Sequence, residues 1–328
     1  MKVVLANPRG FCAGVERAVR IVEVALEQYG SPIYVRHEIV HNHHVIATLT
    51  ARGAIFVEDL SDVPRGSRVI FSAHGVSPTV WSEARSRGLK VVDATCPLVT
   101  KVHLEALTQA RNHRTLIVIG HREHPEVIGT VGHYLGSGSG RVVVVEDEAA
   151  AENVAIDVDE DVAYVTQTTL ATDQTARIIA ILQRRIPSLV GPPREDICYA
   201  TTNRQRAVQA LAERCDVIIV LGANHSSNSV RLREVAQAAG VEAYLVDDEA
   251  KIDPSWFEHR EIIGITSGAS VPEVLVQRLL VRLRIWWPDL IEENLGQSET
   301  VQFRLPRELA RDPPGRRSTL SPVSADVA

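Results

Sequence analysis

Cys12, Cys96 and Cys198 each end a short apolar run of β type and open a helical pattern, one in each third of the chain. The fourth cysteine, Cys215, holds no equivalent place. Three thiolates suit a metal centre. Zinc on three Cys and one His is one candidate, but structural zinc sites draw on close pairs such as C-x2-C, and the chain has none. A cubane iron–sulfur cluster takes single cysteines from separate segments, and it normally takes four. With three, one iron is left without a protein ligand, where it can act as a Lewis acid and pass electrons to a substrate. The ordinary fate of a lone Cys is a buried thiol. Cys215 is read that way; the shared repeat position argues against it for the other three.

About 28 residues beyond each cysteine comes a polar loop at a helix start. These loops are His41-Asn42-His43-His44, His121 to Glu126, and His225-Ser226-Ser227-Asn228. A further loop closes each copy: Ser72-Ala73-His74-Gly75, Thr166-Gln167-Thr168-Thr169, and Thr266 to Ser270. If the loops converge, His41, His74, His124, Ser226, Asn228 and Ser270 make a cage of donors at helix N-termini, which favour phosphate oxygens. The serines and Asn228 also serve as plain helix caps. Pro125 suits the first position of a helix, with His124 as its cap and Glu126 in the first turn. Glu126 then either complements the helix dipole or gives a proton to a bound substrate. His43, His44, His113, His121 and His133 read as structural or surface residues.

The elements that must position these loops follow from the pattern. Short Val/Ile runs alternate with helical periodicity, the signature of parallel sheets with crossover helices, whose strand-to-helix loops carry ligands. The expected fold class is α/β, with three pseudo-repeated α/β domains in a trefoil around a central cluster. Residues 1–88 carry Cys12, 89–191 carry Cys96 and 192–290 carry Cys198. A C-terminal segment, 291–328, ends in a polar tail, disordered from about 312. Helices are expected over 15–28, 99–111 and 205–215.

Hydrophobic residues make up 45% of the 328 and aromatics 5%, so Val, Ile, Leu and Ala must build the core. The net charge of −6 argues against nucleic-acid and anionic-membrane partners. No run approaches the ~18 apolar residues of a membrane helix, and the N-terminal run is too short for a signal peptide. The expected location is the cytoplasm, where disulfides are rare. Arg184, Arg185, Arg204 and Arg206 are expected to form a local patch for an acidic electron-transfer protein.

The motifs Arg9 to Val15, His41-Asn42, Ser72 to Pro78, Asp93 to Val99, Gly120 to Val127, Thr166 to Leu170, Asp196 to Gln205, Ser226 to Ser229 and Gly268 to Ser270 resemble those of the 4-hydroxy-3-methylbut-2-enyl diphosphate reductases. The resemblance runs from residue 1 to about 310. It implies one [4Fe–4S] cluster on Cys12, Cys96 and Cys198. It implies a substrate diphosphate held by His41, His74, His124, Thr168, Ser226, Ser227, Asn228 and Ser270. Catalytic roles fall to His124, Glu126 and Thr168, the last two forming a proton path to the substrate hydroxyl. The implied reaction removes that hydroxyl with two electrons and protons, ending the non-mevalonate isoprenoid pathway. Protonation at either end of an allylic carbanion gives isopentenyl and dimethylallyl diphosphate, with ferredoxin or flavodoxin as donor. Two departures stand out: His225 occupies a position where Asn is expected, and the segment after about Arg311 matches nothing in the family. Rival readings are an aconitase-like hydro-lyase and a non-enzymatic iron–sulfur redox sensor. A sensor or carrier needs no donor cage. A radical S-adenosylmethionine enzyme needs a close Cys triplet, which is absent.

Overall fold

The computed structural model describes residues 1–137, 140–157 and 160–309, so the expected tail lies outside the described residues. Three parallel sheets share one order. In the first, β2 (Ile33–Arg36) lies between β3 (Ala54–Val57) and β4 (Arg68–Phe71). In the second, β6 (Thr115–Ile119) lies between β7 (Val142–Val145) and β8 (Val162–Thr166). In the third, β9 (Val217–Leu221) lies between β10 (Glu242–Val246) and β11 (Ile262–Ser267).

The strand leading into each cysteine joins the sheet of the preceding copy. Before Cys96, β5 (Lys90–Asp93) pairs with β4. Before Cys198, Val190 bridges Ala163 of β8. Before Cys12, β1 (Lys2–Asn7) pairs with β11 and so closes the ring. On its other side β1 pairs with β12 (Ile291–Gly296). β5 therefore pairs across the expected 88/89 division, and β1 pairs with strands from beyond residue 191, β11 and β12. The cysteines mark the repeat in sequence, whereas the sheet closes one strand later, through partners far away in the chain. Each cysteine thus lies on a crossing between sheets, which draws all three toward the centre.

The helices repeat as well. α1 (Ala13–Tyr29), α4 (Pro97–Arg111) and α8 (Tyr199–Ala212) start at the cysteines. α2 (His43–Ala51), α5 (Pro125–Leu135) and α9 (Ser227–Ala238) start at the second loops. α3 (Pro78–Ser86), α7 (Thr172–Arg185) and α10 (Glu273–Trp286) follow the third loops, and α6 (Glu148–Asn153) follows β7. Covering helices make β6 and β9 wholly buried Val/Ile/Leu runs, as parallel strands require. α1 buries Ala18, Ile21, Val22 and Ala25 on one face at 3.6-residue spacing. Each such Ile or Val contributes about 1.5–3 kcal/mol by leaving water.

α8 starts before the expected 205 and ends before 215. Thr201 and Thr202 are poor helix formers and hide the first turn. The Cys198 thiol compensates by accepting the Thr201 N–H at 3.4 Å. Cys215 follows the helix in a turn and is buried in an apolar cluster with Val4, Val208 and Ile218. The C-terminal strap returns to the first copy: Arg17 Nε donates to the Arg304 carbonyl at 2.9 Å, and Leu309 is buried in that core. No helix among the described residues is long and apolar enough to cross a membrane.

Candidate active site

The three cysteine loops are anchored alike. The backbone N–H of Cys12 donates to Ala269 O at 3.2 Å, that of Cys96 to Ala73 O at 3.0 Å, and that of Cys198 to Thr168 O at 3.1 Å. Each cysteine is thereby tied to the third loop of the preceding copy and holds the N-cap position of its own helix, with a side-chain capping bond at Cys198 alone. All three line one cavity of about 110 Å³, and Cys215 does not. Gly14 leaves the necessary space: a Cβ there would lie 2.7 Å from Cys96 Sγ and 3.8 Å from Cys12 Sγ.

The thiols fit an iron–sulfur cluster by their chemistry. Burial first, then the neighbouring cysteines, pushes Cys96 up to about 12, although the Leu98 and Val99 amides favour its thiolate. Burial and Cys12 push Cys198 up to about 11, against hydrogen bonds from Thr201. Three thiolates cannot share this pocket uncompensated; iron bound there would take the place of their protons and offset their charge.

Above the cysteines three histidines meet. His41 stacks on His74 with centroids 4.3 Å apart, and His124 meets both edge-on at 5.8 and 5.7 Å. Burial, followed by the other histidines, holds His74 well below its ordinary range and His124 down to about 3. His124 Nδ1 accepts the Glu126 N–H at 3.2 Å, capping α5. His41 is different: Nδ1 lies 3.0 Å from Glu38 Oε2, and Nε2 is buried with no protein partner.

Glu126 is 2% exposed. Its Oε1 accepts the Thr168 N–H at 2.7 Å and its Oε2 accepts the Thr168 hydroxyl at 2.9 Å. Burial raises its pKa to about 7 despite those bonds, with Asp196 adding to the rise. The carboxyl therefore holds a proton near neutrality, beside a hydroxyl that also lines the cavity.

The third copy supplies neutral donors. Ser226 caps α9, Asn228 Oδ1 accepts the Ala269 N–H at 2.9 Å, and the Ser270 hydroxyl donates to His41 O at 3.0 Å. Ser227 joins Thr169 Oγ1 at 3.1 Å. Capping and lining the cavity coexist here, because a helix start presents the same side chains to both. Every residue expected at the site lines this one cavity. Sequence reasoning did not single out Glu38, Gly14, Thr169 or Thr201. Thr201 lies three residues after Cys198, on the same helical face, and that spacing was its signal.

Arg204 cannot join the expected arginine patch, whereas Arg206 is exposed. Arg204 is wholly buried; it donates to Gly10 O at 2.8 Å and to Glu299 Oε2 at 3.0 Å, clamping the Cys12 loop to α8 and the strap. Arg184 pairs with Glu152, and Arg185 donates to the carbonyls of Ala151 and Val154. A helix that starts at Tyr199, well before the expected 205, turned Arg204 inward.

The family model described as LytB protein matches residues 3–284. The 4-hydroxy-3-methylbut-2-enyl diphosphate reductase of Acinetobacter baylyi is 54% identical over 309 residues, 94% of this chain and 98% of the relative. The protein of the same name from Pseudomonas fluorescens SBW25 shows the same identity and coverage. Among solved structures, the E-1-hydroxy-2-methyl-but-2-enyl-4-diphosphate reductase of Plasmodium falciparum matches with a TM-score of 0.88 at 37% identity, over 94% of this chain and 96% of that one. An (E)-4-hydroxy-3-methyl-but-2-enyl diphosphate reductase, described as the terminal enzyme of the non-mevalonate pathway, matches with a TM-score of 0.63 at 29% identity, over 87% and 99%. Matched along nearly its whole described length by relatives of one name, the chain belongs to the 4-hydroxy-3-methylbut-2-enyl diphosphate reductase family.

Proposed function

We propose that this chain reduces 4-hydroxy-3-methylbut-2-enyl diphosphate to isopentenyl and dimethylallyl diphosphate, as the last step of the non-mevalonate pathway, in the cytoplasm. One observation carries the reading: three thiols, a buried proton-bearing carboxyl and a set of phosphate-type donors line the same cavity. Cys12, Cys96 and Cys198 hold one [4Fe–4S] cluster per chain. When bound, such a cluster supplies electrons one at a time and offers an iron with no protein ligand. A ferredoxin or flavodoxin delivers those electrons.

His41, His74, His124, Ser226, Ser227, Asn228 and Ser270 grip the diphosphate, with the N-terminus of α9 adding its dipole. That grip fixes the short apolar tail over the cysteines, and positioning of this kind removes much of the barrier. The overall change is R–OH + 2e⁻ + 2H⁺ → R–H + H₂O. With Glu126 protonated, the hydrogen bond to Thr168 runs the other way: Oε2–H donates to Thr168 Oγ, freeing the hydroxyl proton to move to the substrate oxygen as Glu126 replaces it, and that oxygen leaves as water. The second proton ends on either terminus of the allylic unit, which accounts for two products. The test is anaerobic incubation of the iron-loaded protein with the hydroxylated diphosphate and a chemical reductant. Chromatography should show both products at the expense of substrate. A loaded protein that binds substrate but forms neither product, or that only adds or removes water, would end this reading in favour of a hydro-lyase.

A further inference from the structure

Of the three cavity histidines, His41 alone has a carboxylate partner among the described residues, and that partner belongs to none of the three expected catalytic or binding groups. Glu38 Oε2 lies 3.0 Å from His41 Nδ1 and 2.9 Å from His225 Nε2. The His41 and His225 rings meet edge-on at 5.2 Å, and His43 tilts against His225 at 5.2 Å from outside. Glu38 comes from the first copy and His225 from the third, so the contact staples two copies together at the cavity rim. Ser270, also from the third copy, holds the His41 carbonyl. His41 is thus fixed at both backbone and ring.

Hydrogen-bond chemistry dictates what this does. An ionised carboxylate only accepts. Bonds from both histidines hold Glu38 in that form, down to about 2, against the opposing effect of its partial burial. His41 Nδ1 must then carry a proton. In a neutral ring that leaves Nε2 as a lone pair, buried and aimed into the cavity without a partner. A lone pair repels a phosphate oxygen, so an anion can bind there only when Nε2 is protonated too. His74 and His124 have no carboxylate partner and are kept neutral by burial.

We infer that Glu38, steadied by His225, is a positioning residue that makes His41 the one imidazolium of the three-histidine cluster when a diphosphate is bound. The inference rests on the diphosphate reading of the cavity. It assigns the single positive charge in the histidine cage to one ring, leaving His74 and His124 to donate as neutral groups. It also gives His225 a role: its Nε2–H bonds the same oxygen, Oε2, that accepts from His41, keeping that oxygen aimed at His41 and away from the incoming anion.

The test uses the full-length, iron-loaded protein and inorganic pyrophosphate as the probe. Titration calorimetry should show Glu38→Gln weakening pyrophosphate about tenfold to a hundredfold, the loss expected for one charge-assisted hydrogen bond. His225→Ala should weaken it by a few-fold, in the same direction. A folding defect would move the melting curve, which is recorded beside each titration, and Glu38→Asp keeps the carboxylate if Glu38→Gln fails to fold. Histidine ¹⁵N spectra supply a readout that a structural role would not move. Compared with the free protein, the pyrophosphate complex should show one further ring with both nitrogens protonated, and that added signal should vanish in Glu38→Gln. Equal pyrophosphate affinity in wild type and Glu38→Gln, or an imidazolium signal that survives the substitution, would overturn the role of Glu38 while leaving the diphosphate reading intact. Failure of the wild type to bind pyrophosphate or the hydroxylated diphosphate would overturn both.

Discussion

His41 and His74 stack with centroids 4.3 Å apart and an interplanar angle of 27°; His103 and His133 stack at 4.2 Å and 26°. Burial lowers His74 and His103 alike, His103 to about 3. Yet the first pair faces a cavity with a carboxylate behind it, and the second is interior packing. His103, on α4, fills the space left by two glycines: a Cβ at Gly75 would lie 2.6 Å from its Cε1, and one at Gly129 3.1 Å from its Nε2. Gly75 follows His74, so His103 packs as a floor under the turn that carries His74. The same contrast separates Cys12, Cys96 and Cys198, which line the cavity, from Cys215, which does not, although burial raises the Cys215 thiol to about 11 as it raises Cys96 and Cys198. Ring stacking, burial and a shifted acidity constant do not by themselves mark a site. Convergence on a shared space does.

The sharpest way to break this contrast is at sulfur. Replacing Cys12, Cys96 or Cys198 by Ser should abolish the cluster and all turnover, while Cys215→Ser keeps both. Iron per chain and the visible spectrum of anaerobically purified variants decide it; a Cys215 variant without iron would remove the distinction.

Next in size is Glu126. An amide keeps the shape but supplies no proton, so Glu126→Gln should lower kcat by about 10²–10⁴-fold, with the diphosphate still bound and KM little changed. Near-normal kcat with a lowered melting temperature would leave Glu126 only its bond to Thr168.

The pH dependence of stability follows from the same group. Folding raises Glu126 from an ordinary 4.5 to about 7, so the folded state holds this proton more tightly. Its contribution is complete below pH 4.5 and is lost as pH rises through 7, a change of about 3 kcal/mol. Glu38 has the opposite sign: lowered to about 2, it contributes above pH 4.5 and loses that contribution as pH falls toward 2. Melting temperatures across this range should show Glu126→Gln flattening the neutral limb and Glu38→Gln the acid limb. A wild-type curve level between pH 5 and 8 would contradict the first assignment.

The smallest effects separate the two stacked pairs directly. His74→Leu should weaken pyrophosphate by about tenfold or more, through loss of a hydrogen bond to a charged group. The same change at His103, whose Nε2 has no partner, should alter pyrophosphate affinity less than about twofold and stability by about 1 kcal/mol. Equal losses of binding at both positions would show that the floor matters as much as the lining.

Much of the molecule is legible in its chain. Cysteine, histidine and serine types recur at matched places between Val/Ile runs and helical patterns, and local propensity turns those patterns into strands, loops and helix starts. Hence the α/β class, the three copies and the loops that carry most of the cavity-lining residues are legible from local pattern. Legibility fails where partners are remote. β5 and β1 look like the first strands of their copies, but hydrogen bonding assigns them to the sheets before. Arg204 looks like a surface cation on a short helix, but an earlier helix start buries it against the Cys12 loop. Glu38 looks like one acid among many.

By itself the sequence determined the residue types, their order and the helix starts that present them, because these depend on neighbours within a turn or two. Only the tertiary structure decided which groups meet. The crossing of each cysteine segment between sheets brought three thiols together, and burial then set their chemistry. It made Glu126 a proton holder near neutrality and gave Glu38 two histidines from different copies. Desolvation and hydrogen bonding act over a few ångströms of space, and sequence separation does not measure that distance.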